Sequence, residues 1–539
     1  MEIQRKKDIV KSLIIKKQEL QGERDQWKNQ WDDLSQYVLP QKDQVYGMAL
    51  NKNKGDEKFN RLFDTTAIHA NEQLASALHN SLMSPTAKWF GFSAGNPEVD
   101  KDYDVQMWLE DARDKVIGVL NNSNLHTQAH ENFLDICCIG TSSLAMEEDK
   151  STVITFMARP IYQVMVDENH KKQIDTVYIT YEVSLKQLID RFGEDKLPRD
   201  VKRKGQSNPS TKQFHLNVCV MPNKEYSKKD PKAKTNRPYI SYTFLEEDQH
   251  LLDESGYYEF PFAIPRWSVL SYEKYGRSPA MKTLPDVKMV NAMMKSVIES
   301  AQKSSNPPVS IPDAGYLGQF NTRPGAKNYY RMGLGDKNLA VPFISGARPD
   351  IGIDIVERTR LNIRQAFFVD QLQLREADRM TATEVRQRND DRLRLLSPIT
   401  ARLSEEYLSP IILRTFGIMR RKNMFLPMPD ALKETGLDIK FVSQVARAQR
   451  SAESDTLNRI VSSLMPAIEA NPQMLQILDG ETMLRDLSND FGLNPSYLKS
   501  PARVAEERNQ QQAQMEQAQA TEQENIEADT MQKMAKAQQ

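Results

Sequence analysis

Arg375-Glu-Ala-Asp-Arg-Met380, running on into Thr381-Ala-Thr-Glu-Val385, is a short charged turn between two long helical segments, Ile351–Leu374 and Thr381–Lys422. A cytosolic enzyme rarely needs two helices of this length around so small a loop. A ring-shaped channel does, because its wall must be long, stiff and repeated and its rim mobile. The helix after Gly352 spans about twenty residues, roughly 30 Å at the α-helical rise. Its apolar residues Ile355, Val356, Leu361, Ile363, Phe367, Phe368 and Leu372 do not keep to one stripe, so the expected neighbours lie on several sides, as between identical copies in a ring.

The rest of the chain bounds that reading. Its 539 residues are enough for several buried cores. With 72 basic and 73 acidic residues the net charge is −1. That argues against tight non-specific binding to nucleic acid, which rests on phosphate neutralisation, but leaves room for a weak, sliding contact. Three cysteines, Cys137, Cys138 and Cys219, make no disulfide framework and point to reduced thiols. No apolar run reaches the length of a membrane span, and the charged start Met1-Glu-Ile-Gln-Arg-Lys-Lys7 lacks a signal peptide's apolar core, so neither secretion by that route nor a membrane partner is expected.

Working outward, an amphipathic helix is expected over 5–39, ended by Pro40, and a second from the N-cap Asp64 to Ser84-Pro85. Trp89–Phe92 reads as a short strand. Helices follow at 101–120 and 126–139, with Gly140 as a C-terminal stop. From Ser151 the period changes to that of strands: Thr152–Met157, Ile161–Val166, Ile174–Val183, Phe214–Met221, Tyr239–Leu245 and Tyr257–Ile264. Among them Ser184…Gln187 forms a capping box for a short helix stopped by Gly193. The basic stretches 198–212 and 222–238 read as exposed loops. Helix returns near Ser278-Pro279 and runs to about Ser304, its regular part beginning near Pro285. Residues 305–350 read as a small module with short apolar runs at Val309–Ile311 and Leu339–Ile344. Residues 444–500 read as helices broken by prolines, and 504–539 as a Gln-, Ala- and Glu-rich helix or tail. The fold class is α+β, mainly helical.

No motif carries catalysis. His126 and His130, one helical turn apart and followed by Cys137-Cys138, match none of the usual zinc spacings and read as ordinary half-buried or core residues. Gly333-Leu-Gly335-Asp-Lys337 is too short for a phosphate loop, so a P-loop ATPase is not expected. Asp390-Asp391 and Glu405-Glu406 alternate with Arg386, Arg388, Arg392, Arg394 and Arg402, which favours salt links over a metal site. No cofactor or metal is expected, and no enzyme activity. Arg323, Lys327 and Arg331 in the small module and Arg375 and Arg379 in the turn are candidates for transient phosphate contact. Glu376 and Asp378 between the last two weaken any steady hold.

The chain resembles the portal (head-to-tail connector) proteins of short-tailed double-stranded DNA bacteriophages. The matching residues run through it in order: Asp64-Thr-Thr-Ala67, Ser84-Pro-Thr-Ala-Lys-Trp-Phe90, Gly140-Thr-Ser-Ser-Leu144, Tyr275-Gly-Arg-Ser-Pro-Ala-Met-Lys-Thr-Leu-Pro-Asp286, Asn306-Pro-Pro308, Met380-Thr-Ala-Thr-Glu-Val385, Ser397-Pro398 and Val445-Ala-Arg-Ala-Gln449. The resemblance implies a portal fold: a wing at 1–277 and 423–443, stem helices at 278–304 and 351–374, and a clip at 305–350. It also implies a channel loop at 375–380, a long helix at 381–422, a crown at 444–503 and an extension at 504–539. It further implies a homo-oligomeric ring, dodecameric by family analogy, at one capsid vertex of the virion and assembled in the host cytoplasm. Double-stranded DNA would pass through it during packaging and ejection. Terminase would dock on the clip, tail adaptor and nozzle proteins would replace it, and capsid and scaffolding proteins would surround it. Arg375, Glu376, Asp378, Arg379 and Met380 would line the channel, with Met380 a flexible apolar rim element. A nuclease would need a clustered acidic metal site. A scaffold or core protein would be extended and mostly helical, against the strand-rich 151–270.

Overall fold

A computed structural model of the chain describes residues 2–42, 62–96, 98–206, 213–227, 235–246, 249–305, 309–310, 321, 329, 341–342, 349–369, 396–435, 438–441, 498–499, 503–515 and 517. The helices are α1 (Glu2–Asp25), α2 (Lys28–Tyr37), α3 (Thr66–Leu82), α4 (Tyr103–Asn122), α5 (Leu125–Ile139), α6 (Leu185–Phe192), α7 (Arg199–Gln206), α8 (Pro279–Ser305), α9 (Pro349–Ala366), α10 (Ser409–Arg421) and α11 (Asp430–Thr435). The strands are β1 (Phe90–Ser93), β2 (Ser143–Glu148), β3 (Ile154–Arg159), β4 (Val164–Glu168), β5 (Ile174–Ser184), β6 (Gln213–Pro222), β7 (Tyr239–Leu245), β8 (His250–Tyr257), β9 (Phe262–Ala263), β10 (Val309–Ser310), β11 (Val341–Pro342) and β12 (Asp438–Phe441). Helix and antiparallel sheet are segregated, which is the α+β class, and the sheets among the described residues close no barrel. The chain divides into one unit of Met1–Asn80, Ser123–Lys150 and Ile154–Arg414, and another of Ser81–Asn122, Ser151–Val153 and Thr415–Gln539.

In the first unit the meander β4-β5-β6-β7-β8 has a different cover on each face. Successive side chains of a strand point to opposite faces, so Phe214 and Leu216 of β6 face one way and Cys219 the other. Phe214, Leu216 and Leu245 pack with Leu185 and Leu188 of α6 and Val201 of α7. Cys219, Tyr178 and Phe244 pack with Val10, Leu13 and Leu20 of α1. The capping box at Ser184 forms as its sequence requires: Gln187 N–H donates to Ser184 Oγ at 3.3 Å, and Ser184 N–H donates to Gln187 Oε1 at 2.9 Å. A second sheet, β3-β2-β9, lies in the same unit.

Several expectations need correction. The first helix breaks at Gln26-Trp27, where Arg24 donates to the Tyr162 carbonyl at 2.6 Å and Trp27 turns to stack near Trp31 and Tyr275. Part of the expected basic loop is α7, which buries Val201 and seats Gly205 against the Leu185 side chain, where a Cβ would collide. The strand expected at Tyr257–Ile264 is instead β8, ending at Tyr257, and the short β9. The strand β2 has a sequence, Ser-Leu-Ala-Met-Glu-Glu, without a β-branched residue; pairing with β3 and β9 on both edges holds it.

The second unit holds the two-stranded β1–β12 sheet, with Phe90 opposite Phe441 and Ser93 opposite Asp438. Aromatic rings from Phe92, Trp108, Phe416 and Phe425 pack beside it at centroid distances of 4.8 to 6.5 Å. The Trp108 indole N–H donates to the Leu426 carbonyl at 3.0 Å, which satisfies the polar atom of a buried ring.

Candidate channel wall and its buried anchor

The paired helices α8 and α9 are the described part of the candidate channel wall. Helix α8 starts on a side-chain cap: Met281 N–H donates to Ser278 Oγ at 3.0 Å, and Pro279 fills the first helical position, where a missing N–H costs nothing. The helix runs through Pro285 rather than starting there. The ring removes one hydrogen bond, and burial of Ala280, Met281, Leu284, Val287 and Val290 offsets the loss. Gly352 lets α9 come close to α8, since a Cβ there would lie 2.9 Å from Val297 Cγ2. Val356, Thr359 and Ile363 form the buried face of α9. Helix α9 ends at Ala366, where Phe367 and Phe368 turn and Phe368 takes a left-handed φ of 60°; Val369 is helical again, and the remainder of the segment expected to Leu374 lies outside the described residues. The opposite sides of the two helices leave Met289, Ile353, Ile355 and Leu361 exposed by more than 40% each. Beyond α8 and before α9, β10 and β11 pair antiparallel, Val309 with Pro342, which joins the two short apolar runs read in this segment.

Polar side chains tie the pair to the segment at Phe63 and Asp64 within the first unit. Asp64 caps α3, accepting from Thr66 N–H at 3.0 Å, and its other oxygen accepts from Arg360 Nε at 2.8 Å. Asn291 on α8 accepts from the Phe63 N–H at 2.7 Å.

The N-terminal end of α8 sits on a buried crossing of two segments. Gly140 ends α5 at φ 91°, and a Cβ on Gly140 or on Gly276 would run into the other's carbonyl oxygen. Gly276 N–H donates to Thr141 Oγ1 at 2.7 Å, and Ser278 Oγ donates to the Cys138 carbonyl at 2.6 Å. Beside the crossing is Arg266, 3% exposed. Its backbone N–H and its Nη2 donate to Glu406 at 2.9 and 2.7 Å, it also binds Glu168, and it donates to the carbonyls of Lys274 and Lys172 at 3.2 Å. Burial would lower the guanidinium pKa, and the Glu406 and Glu168 carboxylates outweigh that and raise it. Glu406 lies in a π-helical turn, Ser404–Leu408, inside the helical run 396–421. The π-turn carries an extra residue, and the Arg266 bonds hold the carboxylate that this turn projects.

All eight residues proposed for phosphate or channel contact, Arg323, Lys327, Arg331, Arg375, Glu376, Asp378, Arg379 and Met380, lie outside the described residues, as do Asp390 and Asp391. Glu406 does make the expected link to Arg402 at 3.4 Å, but its main partner is Arg266, 140 residues away, which spacing along one helix could not reveal. His126 lies against His79 of α3, Nδ1 to Nε2 3.3 Å, and the His130 ring is 6.2 Å from that of His79. Burial first, then the two neighbouring imidazoles, lower the His79 pKa to about 4. Cys137 and Cys138 are buried, and burial raises both thiols. Among the described residues no group of three His, Cys, Asp or Glu side chains could hold a metal ion, and no helix is long and apolar enough to cross a membrane.

The crossing gives the motif residues a shared place: Gly140-Thr-Ser-Ser-Leu144 and Tyr275-Gly-Arg-Ser-Pro279 are the two segments that meet there. The portal protein of Salmonella phage epsilon15 is 28% identical over 516 residues, covering 94% of this chain and 92% of that protein. The probable portal protein of Bordetella phage BPP-1 is 26% identical over 536 residues, covering 97% and 95%. A solved chain from the virion of a native gene transfer agent (GTA) particle aligns with a TM-score of 0.30 and 12% identity, over 72% of this chain and 89% of that one, a likeness too low to carry an argument. The family model for bacteriophage head to tail connecting proteins matches residues 11–498, and this chain belongs to that family.

Proposed function

We propose that this chain is a portal subunit: copies form a ring, dodecameric by family analogy, at one capsid vertex, through which viral double-stranded DNA is packaged and later ejected. The observation that carries the reading is the family match over residues 11–498, together with full-length likeness to two phage portal proteins. In this reading α8 and α9 are stem helices, the segment joined by β10–β11 is the clip on which terminase and then tail adaptor and nozzle proteins dock, and Arg375–Met380 is the loop that narrows the channel. The chain's role is structural rather than enzymatic. A net charge of −1 suits transit, since each phosphate held tightly would raise the barrier to sliding.

Antibody labelling of intact particles separates this from the reading as a scaffold or core protein. Label at a single vertex per virion, where the tail is attached, is the expected result. Label over the whole shell, or only inside opened particles, would overturn it.

A further inference from the structure

We propose that Arg159, Arg191 and Tyr181 form a binding site for a single oxyanion, a phosphate or a carboxylate group, on the first unit and apart from the candidate channel wall. The Arg159 guanidinium lies over the Tyr181 ring at 4.8 Å, and Arg191 Nη1 donates to the same residue's hydroxyl at 2.7 Å. Two cations thus share one phenol: burial first, and then the Arg191 charge, pull the Arg159 pKa down, against the opposing pull of Tyr181 and Glu147.

Neither guanidinium has a carboxylate within ion-pair distance among the described residues. Arg159 Nε is buried with no hydrogen-bond partner. An arginine carries five N–H donors in a fixed fork, and a buried Nε–H without an acceptor is costly. The charge of Glu147 acts on Arg159, Arg191 and Arg414 alike, without an ion pair to any of them among the described residues. Glu147 accepts from the Tyr257 hydroxyl at 3.1 Å, and Glu259 is bound to the buried Arg414 at 2.9 Å. Arg414, itself 1% exposed and lying over the Tyr257 ring, also has a buried Nε without a partner. Among these described groups three arginines, Arg159, Arg191 and Arg414, stand against two carboxylates, Glu147 and Glu259, an excess of one positive charge that an oxyanion would balance.

The forked donors of Arg159 fit two oxygens of one group side by side, and Arg191, on the exposed last turn of α6, can close over it. Tyrosine and arginine around a half-buried charge are also the residue types that anchor protein interfaces, so an acidic side chain is as natural a source as free phosphate.

The full chain would be titrated at constant ionic strength with inorganic phosphate and, separately, with a tri-glutamate peptide, following binding by calorimetry. The account expects saturable one-to-one binding of at least one probe, weakened at least about tenfold in Arg159→Gln and in Arg191→Gln. Binding of phosphate alone would identify a free ion as the source; binding of the peptide would identify an acidic partner segment. No saturable binding of either probe would overturn the proposal, as would equal affinity in the wild type and both variants, which marks an adventitious ion only. Arg191 is exposed, so its variant keeps the test valid if Arg159→Gln fails to fold.

Discussion

The buried crossing at Gly140, Gly276, Arg266 and Glu406 and the outer sides of α8 and α9 obey opposite rules. At the crossing the buried charges are paired within one chain: two glycines admit the close approach, and one arginine binds two carboxylates and two carbonyls. On α8 and α9, Met289, Ile353, Ile355 and Leu361 remain open to solvent although the inner faces are well packed. A surface finished by its own chain and one left apolar have different purposes. The crossing fixes where the helix pair starts. The helix pair's outer surface suits association with further copies, as a ring requires.

That contrast can be broken at either end. Arg266→Ala removes the buried cation that Glu168 and Glu406 share, leaving them only the more exposed Lys172 and Arg402 at 3.4 Å, and should destabilise the chain by about 3–5 kcal/mol, read from urea unfolding. A loss below about 1 kcal/mol would mean that the anchor carries little of the fold. Gly140→Ala imposes a left-handed backbone on a residue with a Cβ and pushes that Cβ at the Gly276 carbonyl; a loss of at least about 2 kcal/mol is expected in the same measurement. His79 sharpens the picture through pH. Its folded pKa, about 4, lies below the ordinary 6.5, so between those values the unfolded chain binds a proton that the folded chain refuses. Stability should therefore fall as pH drops from 6.5 towards 4, by about 1 kcal/mol once solvent screening of a half-exposed ring is allowed for, and His79→Gln should flatten that part of the profile. The smallest effect on single-chain stability belongs to the open surface. Ile355→Ser or Leu361→Ser should change it by less than about 0.5 kcal/mol. Their consequence should appear instead as a lower yield of assembled rings in sedimentation, and unchanged yield would show that these residues do not meet a neighbouring copy.

Local signals made much of the fold legible. Asp64, the Ser184…Gln187 box, Gly140 and Gly193 each carry their own short-range chemistry, and each stops or starts a helix where its type predicts. What stayed hidden depends on distant partners. Strand β2 has weak β-propensity and exists because β3 and β9 flank it; α7 looks like a basic loop until Val201 and Gly205 meet α6; Glu406 reads as a helix-surface charge until Arg266 arrives from another segment. The site was less legible still. The family resemblance rested on eight short segments in order along the chain; for two of them, Gly140–Leu144 and Tyr275–Asp286, the physical reason, a glycine-on-glycine crossing under a capped helix, appears only in three dimensions.

The most direct test of the central claim is electron microscopy of the purified full-length chain, with class averages viewed down the symmetry axis. The account predicts closed rings around a central hole, and the same images count the subunits. Monomers or small compact particles alone, at high protein concentration, would contradict it.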